Sequence, residues 1–219
     1  MIPKIIHQIW IGRRKLSSEH AQMCQQWKDM YPDYKHVFWD NDAVATEDIV
    51  SKKNQSYFLA PHCPIALKAD ILRYEIVRKC GGIYIDVDTE PLKRMDESIL
   101  TCRFFGGIQT NEEVAIGIFG AEPQCPLIVD ACEKVGPNID FRLKSGSLIS
   151  HVDHLSGPVF FTNICKPYRA LSDYQFMPPK FFYPYWFTET HRRYEDFKST
   201  CPDAYSAHHW SKNWYEHPE

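Results

Sequence analysis

Two aspartates separated by one residue, Asp86-Val87-Asp88, close the short apolar run GGIYIDVD. Two anions at the end of a buried strand are costly unless a cation or hydrogen-bond donors face them. Hard carboxylate oxygens suit Mg²⁺ or Mn²⁺, which take one or two carboxylates beside phosphate oxygens. Ile83, Ile85 and Val87 alternate with Tyr84, Asp86 and Asp88. A strand would therefore turn both carboxylates to one face, with Cα atoms about 6.6 Å apart. At that separation one aspartate can hold a metal while the other holds sugar or ribose hydroxyls. Upstream, Asp70 and Arg73 stand three residues apart, the spacing at which two side chains of a helix meet. They read either as a structural ion pair or as a polar clamp beside a cleft.

The elements that must position these groups are legible around them. PIALKADILRYEIVRKC reads as a helix with Pro64 at its first position and Gly81-Gly82 as its stop. Ile65, Ala69, Leu72, Ile76 and Cys80 form its apolar stripe. Lys68, Glu75, Arg78 and Lys79 fall toward water, and Asp70 and Arg73 lie on the half-buried border. Earlier, Lys4 to Ile11 is a central strand ending at Gly12, and Ser18 caps a helix with His20, Met23, Cys24, Trp27 and Met30 inward. Tyr34 to Trp39 is a second strand, a short helical stretch follows Asp40, and a polar loop leads to Pro61. Strand and helix alternate, which predicts an α/β fold with a mostly parallel, Rossmann-like sheet binding ligands at its strands' carboxyl ends. Trp10, Asp86 and Asp88 then share one rim. Beyond Pro91, Phe104–Gln109 and Val114–Phe119 pair as strands, Pro126–Val135 is a helix, and Gly136–Gly157 is loop. A helix opens at Gly157-Pro158, and an aromatic, proline-broken stretch runs from 176 to 187.

Composition narrows the field. A chain of 219 residues with a net charge of −3 offers no basic field, so nucleic acid is not expected as a partner. The eight cysteines include no C-x-x-C pair and read as buried, reduced thiols. No segment has the length and apolarity of a membrane span or a signal peptide, and the expectation is a cytoplasmic chain. Neither repeats nor linkers appear, so residues 1–219 are read as one domain: a 1–93 ligand-binding half and an irregular 94–219 half.

Other constellations carry less. Trp27 and Trp39 belong in the core. His151-Val152-Asp153-His154 has metal-like spacing but no regular element to fix it. Phosphatases that use an Asp-x-Asp nucleophile require Thr or Val two residues after the second aspartate. Glu90 occupies that place here, and their later acidic pair is missing. His208, His209, Trp210 and Trp214 crowd a terminal segment, and side chains of this size have apolar area to bury.

Taken together, IPKIIHQIWIG (2–12), WKDMYPDY (27–34), ALKADILRYEIVRKCGGIYIDVDTEPLK (66–93), GIFGAEPQCPLI (117–128), GPVFFT (157–162) and AHHWSKNW (207–214) resemble the DXD-containing sugar transferases of glycosyltransferase family 32. The resemblance implies a GT-A type fold and metal-dependent retaining transfer of a hexose from a nucleotide-diphosphate sugar to a glycan or lipid-linked glycan. A uridine donor is slightly preferred, and guanosine diphosphate mannose is the other candidate. It implies that Trp10 stacks on the donor base and that Asp70 and Arg73 hold the donor sugar. Asp86 would contact ribose and sugar, and Asp88 would bind Mn²⁺ or Mg²⁺. His208 would complete the metal–diphosphate site, and Trp214 would close it. Lys212-Asn213-Trp214 stands where the family often has Gly-Ser-Trp. Asn213 then offers an oxygen to the metal and Lys212 a charge to the diphosphate. Residues 205–215 are expected to form a lid that orders with the donor. The 176–187 stretch, with Arg192 and Arg193 beyond it, is expected mainly as core, with an acceptor cleft or a peripheral membrane contact as its other uses. The alternative to an enzyme is an inactive carbohydrate- or nucleotide-binding module of the same fold.

Overall fold

The structure is a computed structural model that describes residues 1–110, 113–185, 187–189, 199 and 201–211. Its elements are β1 (Ile5–Ile9), α1 (Ser18–Met30), β2 (Lys35–Trp39), α2 (Asn41–Thr46), α3 (Lys52–Leu59), α4 (Ile65–Cys80), β3 (Gly82–Ile85) and β4 (Thr89–Pro91). Then come β5 (Phe104–Thr110), β6 (Glu113–Ala121), α5 (Pro126–Lys144), α6 (Val152–Leu155), α7 (Pro158–Cys165), β7 (Tyr174–Met177), α8 (Pro179–Phe182) and β8 (Ser206–His208). A six-stranded sheet has the order β2-β1-β3-β6-β5-β7, and β4 and β8 form a separate ribbon. The strands of the large sheet run parallel apart from β6, which is antiparallel to both of its neighbours. The expected mostly parallel α/β sheet is therefore present, and it runs through both halves of the chain.

Alternation along β3 sorts its side chains between two cores. Ile83 and Ile85 join Ile6, Trp27, Tyr31, Phe105 and Phe182 on one face. Tyr84 joins Tyr74, Phe104, Phe119 and Phe161 on the other, beneath α4, α5 and α7. Because α4 is covered on several sides, it is less amphipathic than its charges suggest. Glu75, expected toward water, is fully buried. It accepts hydrogen bonds from Asn54 Nδ2 at 2.7 Å and Ser51 N at 3.2 Å, and pairs with Arg78 Nη2 at 2.8 Å. Ser51 and Asn54 come from the region expected to be a polar loop, in which Lys52–Leu59 instead forms α3.

Three further boundaries differ from the sequence reading. Ser17, rather than Ser18, caps α1, its hydroxyl accepting from His20 N at 3.1 Å. The helix opened by Pro126 continues to Lys144 through Pro137, because Ile139 extends the buried stripe past the Gly-Pro pair. β3 ends at Ile85, and Asp86 to Asp88 form a turn in which Thr89 N–H donates to Asp86 O at 3.1 Å. The two aspartates are thus turn residues rather than alternate positions on a strand.

The turn from α4 into β3 admits only glycine. Gly81 and Gly82 have φ of 65° and 96°, and a Cβ on them would meet Pro123 Cδ at 2.6 Å and Ile5 O at 2.7 Å respectively. His7 on β1 fastens this turn: its Nε2–H donates to Gly81 O at 2.9 Å, while Nδ1 accepts from Trp39 Nε1 at 3.2 Å. The Trp39 bond needs an unprotonated Nδ1 and therefore the neutral ring, whereas the Gly81 bond survives protonation. Burial pushes the His7 pKa down to about 4, with Lys35 adding to the fall and the Gly81 bond opposing it. An unfolded chain takes up the proton near 6.5, so stability falls as pH drops from 6.5 toward 4, by about 3 kcal/mol in total. His7→Gln is expected to be less stable at pH 7 yet to lose less stability across that window. Urea unfolding at stepped pH checks this, and parallel curves for the two proteins would refute the assignment.

Candidate active site

Asp70 and Arg73 do not sit on a half-buried border: they are 4% and 3% exposed, enclosed by α4 and the sheet. Arg73 Nη2 lies 3.2 Å from Asp70 Oδ1 and Nη1 lies 3.2 Å from Asp86 Oδ1, while Nη1 also donates to Ile116 O at 2.8 Å. The guanidinium rests 4.6 Å from the centroid of the Tyr84 ring, and the Tyr84 hydroxyl donates to Asp86 Oδ1. The pair expected from helical spacing is therefore a buried network reaching the first aspartate of the D-x-D sequence.

These neighbours set the charge states. Burial raises the Asp86 pKa, but Arg73, His208 and Tyr84 outweigh it and hold the carboxyl below the usual range. Burial pushes Asp70 up to about 7, against the opposing pull of Arg73 and Ser156. Arg73 is driven up by Asp86, Tyr84 and Asp70 in spite of the burial that opposes it, and stays charged.

The third acidic group meets the tail. In the ribbon, Thr89 pairs with His208, Glu90 with Ala207 and Pro91 with Ser206. That register puts His208 beside the residue that follows Asp88. His208 Nε2 lies 3.3 Å from both Asp86 Oδ2 and Asp88 Oδ1. The Trp210 N–H donates to His208 Nδ1 at 3.1 Å, which turns Nε2 toward the carboxylates. His209 N–H donates to Asp88 O at 2.8 Å, and Ser211 N–H to Asp88 Oδ2 at 2.9 Å. The tail through Ser211 is thus hydrogen-bonded to β4 and Asp88. Lys212, Asn213 and Trp214 lie outside the described residues, as do Arg192 and Arg193.

Asp86, Asp88 and His208 offer ligand atoms that all lie within 4.8 Å of one another, and all three are buried. Two carboxylates and an imidazole fit a divalent transition ion such as Mn²⁺, and the two carboxylates fit Mg²⁺. His154 and Asp153 are not part of this group.

Trp10 stands at the end of β1, half-buried, its Nε1–H donating to Arg14 O at 2.7 Å and its ring 5.8 Å from His20. It lines a cleft of about 350 Å³ with Arg14, Lys15, Ser17, His20 and Ser211. Through Ser211 this cleft adjoins Asp88. A larger cleft of about 620 Å³ lies over the ends of β1 and β2, lined by Ile11, Gly12, Asn41, Val44, Ile65 and others, and neither aspartate reaches it. Asn41 ties the two strand ends, accepting from Gly12 N at 3.0 Å and donating to Gly12 O at 2.8 Å. In the 176–187 stretch, Phe182, Tyr183 and Tyr185 are buried. Tyr183 packs against His208 and Trp210 at 5.9 and 5.8 Å, and its hydroxyl accepts from Ile118 N at 3.1 Å.

Residues 17–105 match the family described as "glycosyltransferase sugar-binding region containing DXD motif". Over that span the chain is similar to the DXD-containing glycosyltransferases. It is 26% identical to a glycosyltransferase of Acanthamoeba polyphaga mimivirus, L373, over 99% of its own length and 85% of that protein. It is 30% identical to the mannosyl phosphorylinositol ceramide synthase SUR1 of Saccharomyces cerevisiae, over 77% of this chain and 43% of the yeast protein. Among solved structures, the PaToxG glycosyltransferase superposes with a TM-score of 0.63 at 18% identity, covering 77% of this chain and 70% of that one. That likeness concerns the fold, which is of the GT-A type. The chain spans most of the viral relative but less than half of the yeast one.

Sequence reasoning missed two residues that shape the site, Gly117 and Ser156. A Cβ on Gly117 would meet His208 Cδ2 at 2.9 Å and Asp86 Oδ2 at 3.0 Å. Gly117 O also accepts from Asp86 N at 2.7 Å. No local pattern in GIFG marks this role; only the β3–β6 pairing reveals it. Gly117→Ala is expected to fold yet to bind Mn²⁺ at least about tenfold more weakly, because it displaces the ring that completes the site. Titration calorimetry with Mn²⁺, beside a melting curve, checks this.

Proposed function

We propose that this protein transfers a hexose from a nucleotide-diphosphate sugar to a glycan or lipid-linked glycan, with retention of configuration and with Mn²⁺ or Mg²⁺ as cofactor. The observation that carries the reading is the convergence of Asp86, Asp88 and His208 beside the buried Asp70–Arg73 pair. Asp88 and His208 would hold the divalent cation, which would supply positive charge against the negative charge developing on the leaving diphosphate. In this reading Asp86, kept ionised by Arg73, accepts hydrogen bonds from ribose and sugar hydroxyls, and Asp70 with Arg73 fixes the sugar. Trp10 offers a plane to the base at the mouth of the smaller cleft. Lys212, Asn213 and Trp214 are assigned to the diphosphate, the metal and closure over the donor. The tail's anchor on β4 would keep water from a donor that it would otherwise hydrolyse.

Retention fits the absence, among the groups named here, of a second carboxylate pair to act as base or covalent nucleophile; the leaving diphosphate then takes the acceptor's proton. The mannosyl relative supports mannose among the hexoses and a lipid-linked acceptor. Among the described residues no helix is long and apolar enough to cross a membrane. All eight cysteines are free thiols, which agrees with a reducing compartment.

A donor panel tests the proposal. With Mn²⁺, the purified chain is expected to release nucleoside diphosphate from UDP-glucose, UDP-galactose or GDP-mannose. An inactive binding module would bind a donor and release nothing. Asp88→Asn is expected to abolish both release and metal-dependent donor binding while the protein stays folded. Comparable rates for the variant would defeat the metal assignment. Arg73→Lys is expected to lower kcat by about 100-fold, because an ammonium cannot span Asp70, Asp86 and the Ile116 carbonyl in one plane. It should also lower the melting temperature, since it leaves buried carboxylates poorly paired. Normal turnover with only a stability loss would reduce the pair to a structural role.

A further inference from the structure

The Ser-Gly-Pro corner between α6 and α7 belongs to no part of the scheme above, yet it reaches the sugar clamp. Ser156 is fully buried. Its hydroxyl donates to Asp70 Oδ2 at 2.8 Å, and its carbonyl accepts from the Tyr74 hydroxyl at 2.7 Å. The corner is itself rigid: Ser156 N and Gly157 N both donate to Val152 O, at 2.9 and 3.0 Å. Asn138 Nδ2 holds His154 O and Leu155 O at 2.9 and 2.8 Å. On its far side Phe161 of α7 stacks on Tyr74 at 5.3 Å. A serine is not needed to pack this corner; an alanine would fill nearly the same space.

We infer that Ser156 is a positioning residue that aims the Asp70 carboxylate at the donor sugar, an inference resting on the glycosyl-transfer reading. The two oxygens of Asp70 are divided: Oδ1 faces Arg73 and Oδ2 accepts from the Ser156 hydroxyl, so two contacts rather than one fix the rotation of the planar carboxylate about its last side-chain bond. A carboxylate held at both oxygens presents its remaining lone pairs in one direction, as a sugar hydroxyl requires. The serine also defends the charge. The groups facing Asp70 are Arg73 and Tyr74 on α4, Tyr84 and Asp86 at the end of β3, and Asp153 on α6. Two of those are carboxylates, which oppose ionisation of a third, so Ser156 and Arg73 together limit the rise and leave Asp70 partly ionised near neutrality. The GPVFFT segment gains a function by this route: it sets the corner on which Ser156 stands.

The test compares wild type, Ser156→Ala and Ser156→Thr. Carbon-13 NMR of aspartate-labelled protein, with Asp70→Asn identifying the resonance, follows Asp70 directly and needs no donor. Ser156→Ala is expected to raise the Asp70 midpoint by about one unit, which is tenfold in the ionisation constant. Ser156→Thr keeps the hydroxyl and should restore it. With Mn²⁺ present, Ser156→Ala should bind UDP and GDP as wild type does. It should use the sugar nucleotide accepted by wild type about tenfold less well, with the deficit shrinking as pH rises. An unchanged midpoint, or an equal loss for nucleoside diphosphates and sugar nucleotides, overturns the inference. A shifted midpoint in a protein that releases no nucleoside diphosphate from any donor would instead overturn the transfer reading and leave the Ser156–Asp70 coupling standing.

Discussion

The structure depends on a buried guanidinium. Arg73 touches Asp70 and Asp86, and Asp86 shares His208 with Asp88. Counting these groups alone, three ionised carboxylates against one guanidinium would leave a formal charge of −2 with a neutral His208, a charge that protonation of Asp70 or of His208 lessens. Buried charge of that size is unfavourable without a counter-ion, and a divalent cation between Asp86, Asp88 and His208 would cancel it. The rest of the fold serves this arrangement. α4 carries the arginine, the paired glycines bring β3 back beneath it, and β6 supplies the Ile116 carbonyl that accepts the outward N–H.

The site is assembled across long sequence distances by short elements. A three-residue ribbon joins β4 to β8, and through it His208 reaches Asp86, 122 residues away. Trp27 on α1 braces that ribbon, donating to Thr89 O at 2.7 Å, and Tyr205 N donates to Phe181 O at 2.7 Å. Ser156 spans 86 residues to Asp70. Such contacts cost loop-closure entropy and form only once the sheet exists to receive them. The β1–β3–β6 centre is therefore the platform, and the tail is added to it.

The same distinction explains what could be read from the sequence. Asp70, Arg73, Asp86 and Asp88 were legible because they lie within one helix–turn–strand unit whose spacing and glycines are local. The parallel sheet was legible from strand–helix alternation, and the paired β5 and β6 from their flanking turn. Helix α3 was not, since its buried Asn54 is polar and answers to Glu75 across the core rather than to any apolar stripe. The burial of Glu75 was hidden for the same reason: a charged residue on a helix reads as solvent-facing unless its partners are known. Pro137 misled in the other direction, because tertiary burial of Ile139 outweighed the break that proline signals locally. Gly117 and Ser156 act through neighbours on other strands and corners, which no local spacing encodes.

Asp70 and Asp86 face one guanidinium, yet their carboxyls move in opposite directions, and the difference separates stability from chemistry. Asp86 lies below the usual range, so it binds fewer protons folded than unfolded; it stabilises the fold above its unfolded pKa and loses that contribution as pH falls. Asp70 is pushed up to about 7 from an ordinary 3.8, so the folded chain holds its proton longer. Stability contributed by Asp70 therefore declines as pH rises from 3.8 toward 7, and at neutral pH its charge is held against the preference of the fold. Burial drives the carboxyl upward, and only Arg73 and the Ser156 hydroxyl are positioned to pull it back. Asp70 is thus a group whose charge destabilises its own fold at neutral pH, opposed in part by two fixed partners, whereas the charge of Asp86 belongs to the fold's stability.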